Sequence, residues 1–287
     1  MRVVRGLLLA AGLTAGMMGA ARAGLQDDVP SCYVANHIQP ADGVGYSRLI
    51  YVLIDQTVGW TTDLESSVME NLNRNLTPGT KFVIAEFSAF SQGRYLEVLH
   101  TGIIEEPLPA SQVGSTPIQA AKILSECLGD QLPYAVKMAD DATVAALQGS
   151  SSSLNNSDIM SALSAVSAVV AADPAKQRLV FLATDGLENS GVTSFYRHGA
   201  IRNIDPAHEL ALAAANGLVG DFGGADVYVI GGALAPGSGA GLNDAYRSPQ
   251  ELKHLAAFWS GYFQKSNARL VAFGEPALLQ PVGFAGP

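Results

Sequence analysis

Two aspartates stand where an apolar run stops. Asp55 follows Leu49, Ile50, Tyr51, Val52, Leu53 and Ile54, and Asp185 follows Leu179 to Thr184. A hydroxyl lies near each, Thr57 two residues after Asp55 and Thr184 directly before Asp185. Carboxylates and hydroxyls are hard oxygen donors of the kind that Mg²⁺ or another divalent cation prefers. In an open parallel sheet the ligand crevice lies at the carboxyl ends of the strands. Two acids at two strand ends are therefore placed to share one site. A plainer reading of the same residues is that Asp55 and Asp185 accept backbone N–H groups at helix N-termini.

Other chemistries find less support in the residues. Ala89, Phe90, Ser91, Gln92 and Gly93 resemble a nucleophile elbow, but the elbow needs a strand–turn–helix setting and Ser91 falls between two expected strands. An aspartyl-phosphate mechanism would want a second acid where Thr57 stands. The five histidines, His37, His100, His198, His208 and His254, contain no i, i+4 pair that would suit zinc. No phosphate-binding loop and no C-x-x-C pair occurs. No complete catalytic constellation is found, and the expectation is a protein that is not an enzyme.

The elements that must position Asp55 and Asp185 alternate between strand and helix. Leu49–Asp55 reads as a strand buried on both faces. Asp63–Asn75 carries Leu64, Val68, Met69 and Leu72 at helical spacing, and Pro78-Gly79 stops it. Phe82–Phe87 and Tyr95–Thr101 read as an antiparallel hairpin. Ile118–Leu128 and Leu132–Leu147 read as two helices, the second opening on Pro133, within a helical insertion or cap over about 105–150. Alternation resumes with a helix at Asp158–Ala172 and a strand at Arg178–Thr184. A helix at Pro206–Gly217, a strand at Asp226–Ile230, a helix at Pro249–Gln264 and a strand at Arg269–Phe273 follow. The expected fold class is α/β, a doubly wound and mostly parallel sheet with helices on both faces and one antiparallel edge strand.

At its two strand ends the chain resembles a von Willebrand factor type A (vWA) domain. The stretches that carry the resemblance are VLIDQT at Asp55, FLATDGLENSG at Asp185, and the continuation DVYVIGG. It covers about residues 47–275, less the insertion. The resemblance implies a metal-ion-dependent adhesion site in which Asp55 is the first acid, Thr57 the first hydroxyl and Asp185 the last acid. Gly59 stands where the family has a further Ser, so one hydroxyl ligand is missing and the motif is degenerate. The loop hydroxyl falls on Ser157 by order along the chain, with Thr116 in Ser115-Thr116-Pro117 as the alternative. Such a site, built largely from neutral hydroxyls, leaves a cation's charge partly uncompensated and so recruits an external carboxylate. The resemblance thus implies protein–protein recognition at the strand-tip face. Glu188, Tyr196 and Arg197 are the partner-contact candidates, although the loop Thr193–His198 could equally pack over the sheet. Two other functions fit the same residues. One is a metal-assisted hydrolase using Asp55 and Asp185 with Glu188 as base, and the other is a scaffold whose metal site has decayed.

Composition and charge bound the setting. The 287 residues are 48% hydrophobic and 15% charged, with a net charge of −9, which excludes intrinsic disorder. No basic stripe suggests nucleic acid. Residues 1–23 pair Arg2 and Arg5 with an apolar run and end on Ala21-Arg22-Ala23, the pattern of a signal peptide cleaved near Ala23. Its removal takes three arginines and no acid, moving −9 to −12. The expectation is an extension at 24–46, one domain at 47–275, a tail at 276–287, and no membrane span in the mature chain. That protein would be periplasmic or secreted, with a protein partner in an envelope or secretion/conjugation-type assembly. In an oxidising compartment Cys32 and Cys127 would form a disulfide, the alternative being two buried thiols.

Overall fold

The computed structural model describes residues 27–43, 45–88, 96–152, 154, 156–197, 200–234, 248–274 and 276–284. The expected signal segment at 1–23, Ser91 and its turn, His198 and most of the loop 231–241 lie outside them, as does the side chain of Arg197.

The elements run α1 (Cys32–Ala35), β1 (Arg48–Asp55), α2 (Thr62–Asn75), β2 (Thr80–Phe87), β3 (Leu96–Ile104), α3 (Ala110–Val113) and α4 (Ile118–Gly149). Then come α5 (Ile159–Ala172), β4 (Gln177–Ala183), the short β5 (Tyr196–Arg197) and β6 (Ala200–Ile201), α6 (Pro206–Ala215), β7 (Ala225–Ile230), α7 (Pro249–Lys265) and β8 (Ala268–Phe273). Six strands form one sheet in the order β3-β2-β1-β4-β7-β8. All neighbours in it are parallel except β2 and β3, which pair antiparallel at the edge. The expected fold class is therefore the one observed. This order has the topology of a doubly wound sheet, whose winding reverses between β1 and β4.

Apolar runs account for the centre of the sheet. From Leu49 to Ile54 no residue is more than 1% exposed, because β1 has a strand on each side and helices over both faces. Alternation divides its side chains. Ile50, Val52 and Ile54 face α2, α4 and Val282, while Leu49, Tyr51 and Leu53 face α5, α6 and α7. On that second face Phe258, Trp259, Tyr262 and Phe263 of α7 are core residues, as their helical spacing predicts. Caps set the helix starts. Thr61 accepts from the Leu64 N–H ahead of α2, and Asp158 accepts from Ser161 ahead of α5. Ser248 and Glu251 form a reciprocal capping box ahead of α7, with Pro249 at its first turn.

The segment expected as two helices is one. α4 runs 32 residues through Pro133. Proline removes one N–H and crowds the preceding turn, at a cost of about 3 kcal/mol. Both halves are nonetheless held. Ala135, Ala139, Ala142 and Ala146 bury on the sheet at spacings of four, three and four, and Leu124 and Cys127 pack with Cys32 and Tyr33. Cys32 and Cys127 are joined by a disulfide, which ties α1 to the first half of α4. The stretch 276–284 lies along the α2 face. The Val282 N–H donates to Asn71 Oδ1 at 2.8 Å, and the Tyr228 hydroxyl donates to the Gly283 carbonyl at 3.0 Å.

Candidate functional site

The tips of β1 and β4 meet at the reversal of winding. Their last registered pair is Ile54 with Ala183, so Asp55 and Thr184 emerge side by side. Asp55 is fully buried, and both its carboxylate oxygens are engaged. Oδ1 accepts from the Thr57 N–H at 2.9 Å and the Thr57 hydroxyl at 2.7 Å. Oδ2 accepts from the Ser157 hydroxyl at 3.0 Å and the Thr184 hydroxyl at 2.7 Å. Burial pushes the Asp55 carboxyl above its ordinary range, and the hydrogen bonds from Thr184, Thr57 and Ser157 work against that rise. Among the described residues no Lys, Arg or His forms an ion pair with it.

Ser157 is held in place by backbone pairing. It exchanges two bonds with Asn189, at 3.1 Å and 2.8 Å, so the loop before α5 is bound to the loop after β4. Of the two candidate hydroxyls, Ser157 is the one that lies on Asp55. Thr116 is elsewhere, its hydroxyl donating to the Gln112 carbonyl at 2.9 Å ahead of α4. The far end of α4 is the end near Asp55, where Gln56 Nε2 donates to the Ala146 carbonyl at 2.8 Å. A helix of this length spans about 48 Å at ~1.5 Å per residue, which sets Thr116 far from the cluster.

Asp185 lies two residues past the end of β4 and is 4% exposed. Its Oδ1 accepts from the Leu187 N–H at 2.8 Å, and its Oδ2 accepts from the Tyr196 hydroxyl at 2.7 Å. Gly186 takes φ +70°, a left-handed turn in which its carbonyl accepts from Trp259 Nε1 at 2.9 Å. Neither acid caps a helix, which corrects the capping expectation. The described helices of ten or more residues take other residues at their N-caps, Thr61, Pro117, Asp158, Asp205 and Ser248. Asp55 and Asp185 instead close local turns two residues long, and Asp55 collects hydroxyls from three segments.

The partner-contact candidates divide. Glu188 is fully buried, and its Oε2 accepts from the Met160 N–H at 3.0 Å in the first turn of α5. Burial pushes its carboxyl up to about 8. A buried side chain turned into a helix end offers no partner surface, so this assignment is corrected. Tyr196 is half-buried with its hydroxyl turned inward onto Asp185. Burial, then the Asp185 charge, pushes its phenol far up, so it stays neutral. The backbone of Arg197 pairs with Ala200 in the β5–β6 ribbon.

Four participants were not among the expected ligands. Thr184 was visible as the residue before Asp185, but its role needs β4 to lie beside β1. Gln56, 1% exposed, and Ser150 bind the end of α4 to the β1 tip. Ser152 stands over Gly59. A Cβ there would lie 3.6 Å from Ser152 Cβ and 3.7 Å from its Oγ, so a hydroxyl from another loop neighbours the missing one.

The donors around Asp55 are oxygens, the type that a hard divalent cation prefers. A hydroxyl carries one hydrogen and two lone pairs, so Thr57, Ser157 and Thr184 can donate to Asp55 and still present oxygen to an ion. Among the described residues no group of three or more His, Cys, Asp or Glu comes together, so any such ion would rest on two acids and neutral oxygens.

No family model matches the chain, and no curated protein matches it. Among solved structures, it aligns with an aerotolerance-related membrane protein from Bacteroides fragilis NCTC 9343, crystallised with multiple mutations to serine. That alignment covers 79% of this chain and 92% of that one, at 15% identity and a TM-score of 0.30. Among the described residues no helix is long and apolar enough to cross a membrane.

Proposed function

We propose that the chain is an exported vWA-like protein that recognises another protein at its strand-tip face through a divalent-metal site. It would act as a non-enzymatic component of an envelope or secretion/conjugation-type assembly. The observation that supports this most is the convergence of Thr57, Ser157 and Thr184 on the two oxygens of Asp55, with Asp185 just past the end of the next strand. Asp55, Thr57, Ser157 and Asp185 would hold Mg²⁺ or a similar ion, with water or Ser152 at the place of the missing hydroxyl. Two acids would formally balance the charge of a divalent ion, and a position filled by water would leave it room to take up an external carboxylate. The protein's own part is to orient the hydroxyls and to exclude water beneath them, which the buried β1 tip does.

A second reading is favoured by one feature. Asp55 has four protein donors already, so the cluster also serves as a staple between β1, β4 and the loop before α5. In that case the metal site has decayed and the fold is a scaffold. The hydrolase reading has less support, since Glu188 is sequestered at α5. Calorimetry with Mg²⁺ and Mn²⁺ on wild type and Asp55→Ala separates the first two. Heat in wild type alone is expected, and no heat in either leaves the scaffold. Pull-down from envelope extract should lose partners in a folded Asp55/Asp185 double variant.

A further inference from the structure

Tyr196, a partner-contact candidate by sequence, donates to one of the site's two acids. Its neighbours fix its backbone. Phe195 is fully buried edge-on against Phe258 at 4.9 Å, and the Phe195 N–H donates to the Glu188 carbonyl at 2.7 Å. The Tyr196 N–H donates to Ser194 Oγ at 3.2 Å. Only the two side-chain torsions of Tyr196 are then left to move the phenol. Asp185 uses Oδ1 within its own turn, and Oδ2 is the oxygen it shares with the phenol.

We propose that the Tyr196 phenol is a built-in occupant of the strand-tip site, displaced when a divalent cation and the carboxylate of an acidic partner bind. The inference rests on the metal reading of that site. It follows from donor and acceptor bookkeeping. A phenol donating to Asp185 sets a neutral hydroxyl against the carboxylate oxygen that an ion, or its bound water, would use. Loading the site breaks a hydrogen bond to a charged acceptor, and that loss is subtracted from metal affinity. Rotation of the ring outward would at the same time present an aromatic surface beside the site. A partner of stated chemistry fits this: an acidic side chain for the ion, flanked by apolar surface for the ring.

The test uses Mn²⁺ as the probe, alone and with acetate as a minimal carboxylate. The mature chain is titrated calorimetrically as wild type, Tyr196→Phe and Asp55→Ala, with thermal melts to establish folding. Tyr196→Phe keeps the ring and removes the donor. It should bind Mn²⁺ about tenfold or more tightly than wild type, the value of a hydrogen bond to a charged group. Tyr196→Leu should do the same, which guards against shielding by the Phe ring. Asp55→Ala should bind nothing. Asp55-dependent Mn²⁺ binding in wild type that is equal or weaker in both Tyr196 variants overturns the occupant and leaves the metal reading standing. No binding in wild type or in either Tyr196 variant overturns both. Binding in the Tyr196 variants alone supports the occupant in its strongest form.

Discussion

Replacing Glu188 by Gln should change how stability depends on pH. Glu188 is fully buried beside the first turn of α5, with Oε2 on the Met160 N–H and the Asp158 charge nearby. Burial, the largest cause, raises its carboxyl from 4.5 to about 8. The folded value lies above the unfolded one, so folding takes up a proton between those two values. Stability is fully present below about pH 4.5, falls as pH rises through the window, and levels off above about pH 8. The slope is about 1.4 kcal/mol per pH unit, and the whole window is worth about 5 kcal/mol at most. Gln cannot ionise, and its carbonyl can still accept from Met160. Its amide group costs a constant amount that does not change with pH. Asp55, Asp27 and Asp140 are also raised by burial, but they contribute equally to both proteins and cancel in the difference. Urea unfolding of both proteins in EDTA at pH 5, 6, 7 and 8 measures that difference. It should move in favour of the Glu188→Gln variant by about 1 kcal/mol or more per unit. A difference that stays level across that range would refute the reasoning, because Glu188 would then be ionised in the folded protein.

Three further outcomes follow from the same structure. The Cys32–Cys127 disulfide closes a loop with a sequence separation of 95, so Cys32→Ser with Cys127→Ser should lower unfolding stability by about 2–5 kcal/mol. Reductant should bring wild type to the same value in denaturant titrations. Thr184→Val removes a hydroxyl from fully buried Asp55 and should cost about 1.5–3 kcal/mol, while Thr184→Ser should restore most of it by thermal unfolding. Pro133→Ala returns an N–H to the interior of α4 at an exposed position, and should raise the midpoint of urea unfolding by the equivalent of about 1–3 kcal/mol.

The six strands of the main sheet were legible because period and composition act locally, whereas the short β5 and β6 were not. Leu49–Asp55 could be placed to within a residue, since a strand covered on both sides must be apolar throughout. α2 was legible from the helical spacing of its apolar residues and from the stop at Pro78-Gly79. α4 was not, because the penalty at Pro133 is local while the buried alanines and the disulfide that outweigh it come from distant segments. The choice between Ser157 and Thr116 was open for a related reason. Local pattern favoured Thr116 and order along the chain Ser157, and it is the long-range pairing of Ser157 with Asn189 that holds the Ser157 hydroxyl on Asp55 while Thr116 lies elsewhere.

By itself the sequence determined that two acids end two buried strands in an α/β chain, and which hydroxyls were within reach by order. Only the tertiary structure decided their states. The β1–β4 junction brings Thr184 and Ser157 onto one carboxylate, and the packing of α5 takes Glu188 out of reach of any partner. Tyr196 likewise turns from a surface candidate into a group bound to Asp185. The physical reason is common to all of these. A residue's type states which hydrogen bonds and charges it can offer, whereas burial and distant neighbours decide which of them it must satisfy inside the protein.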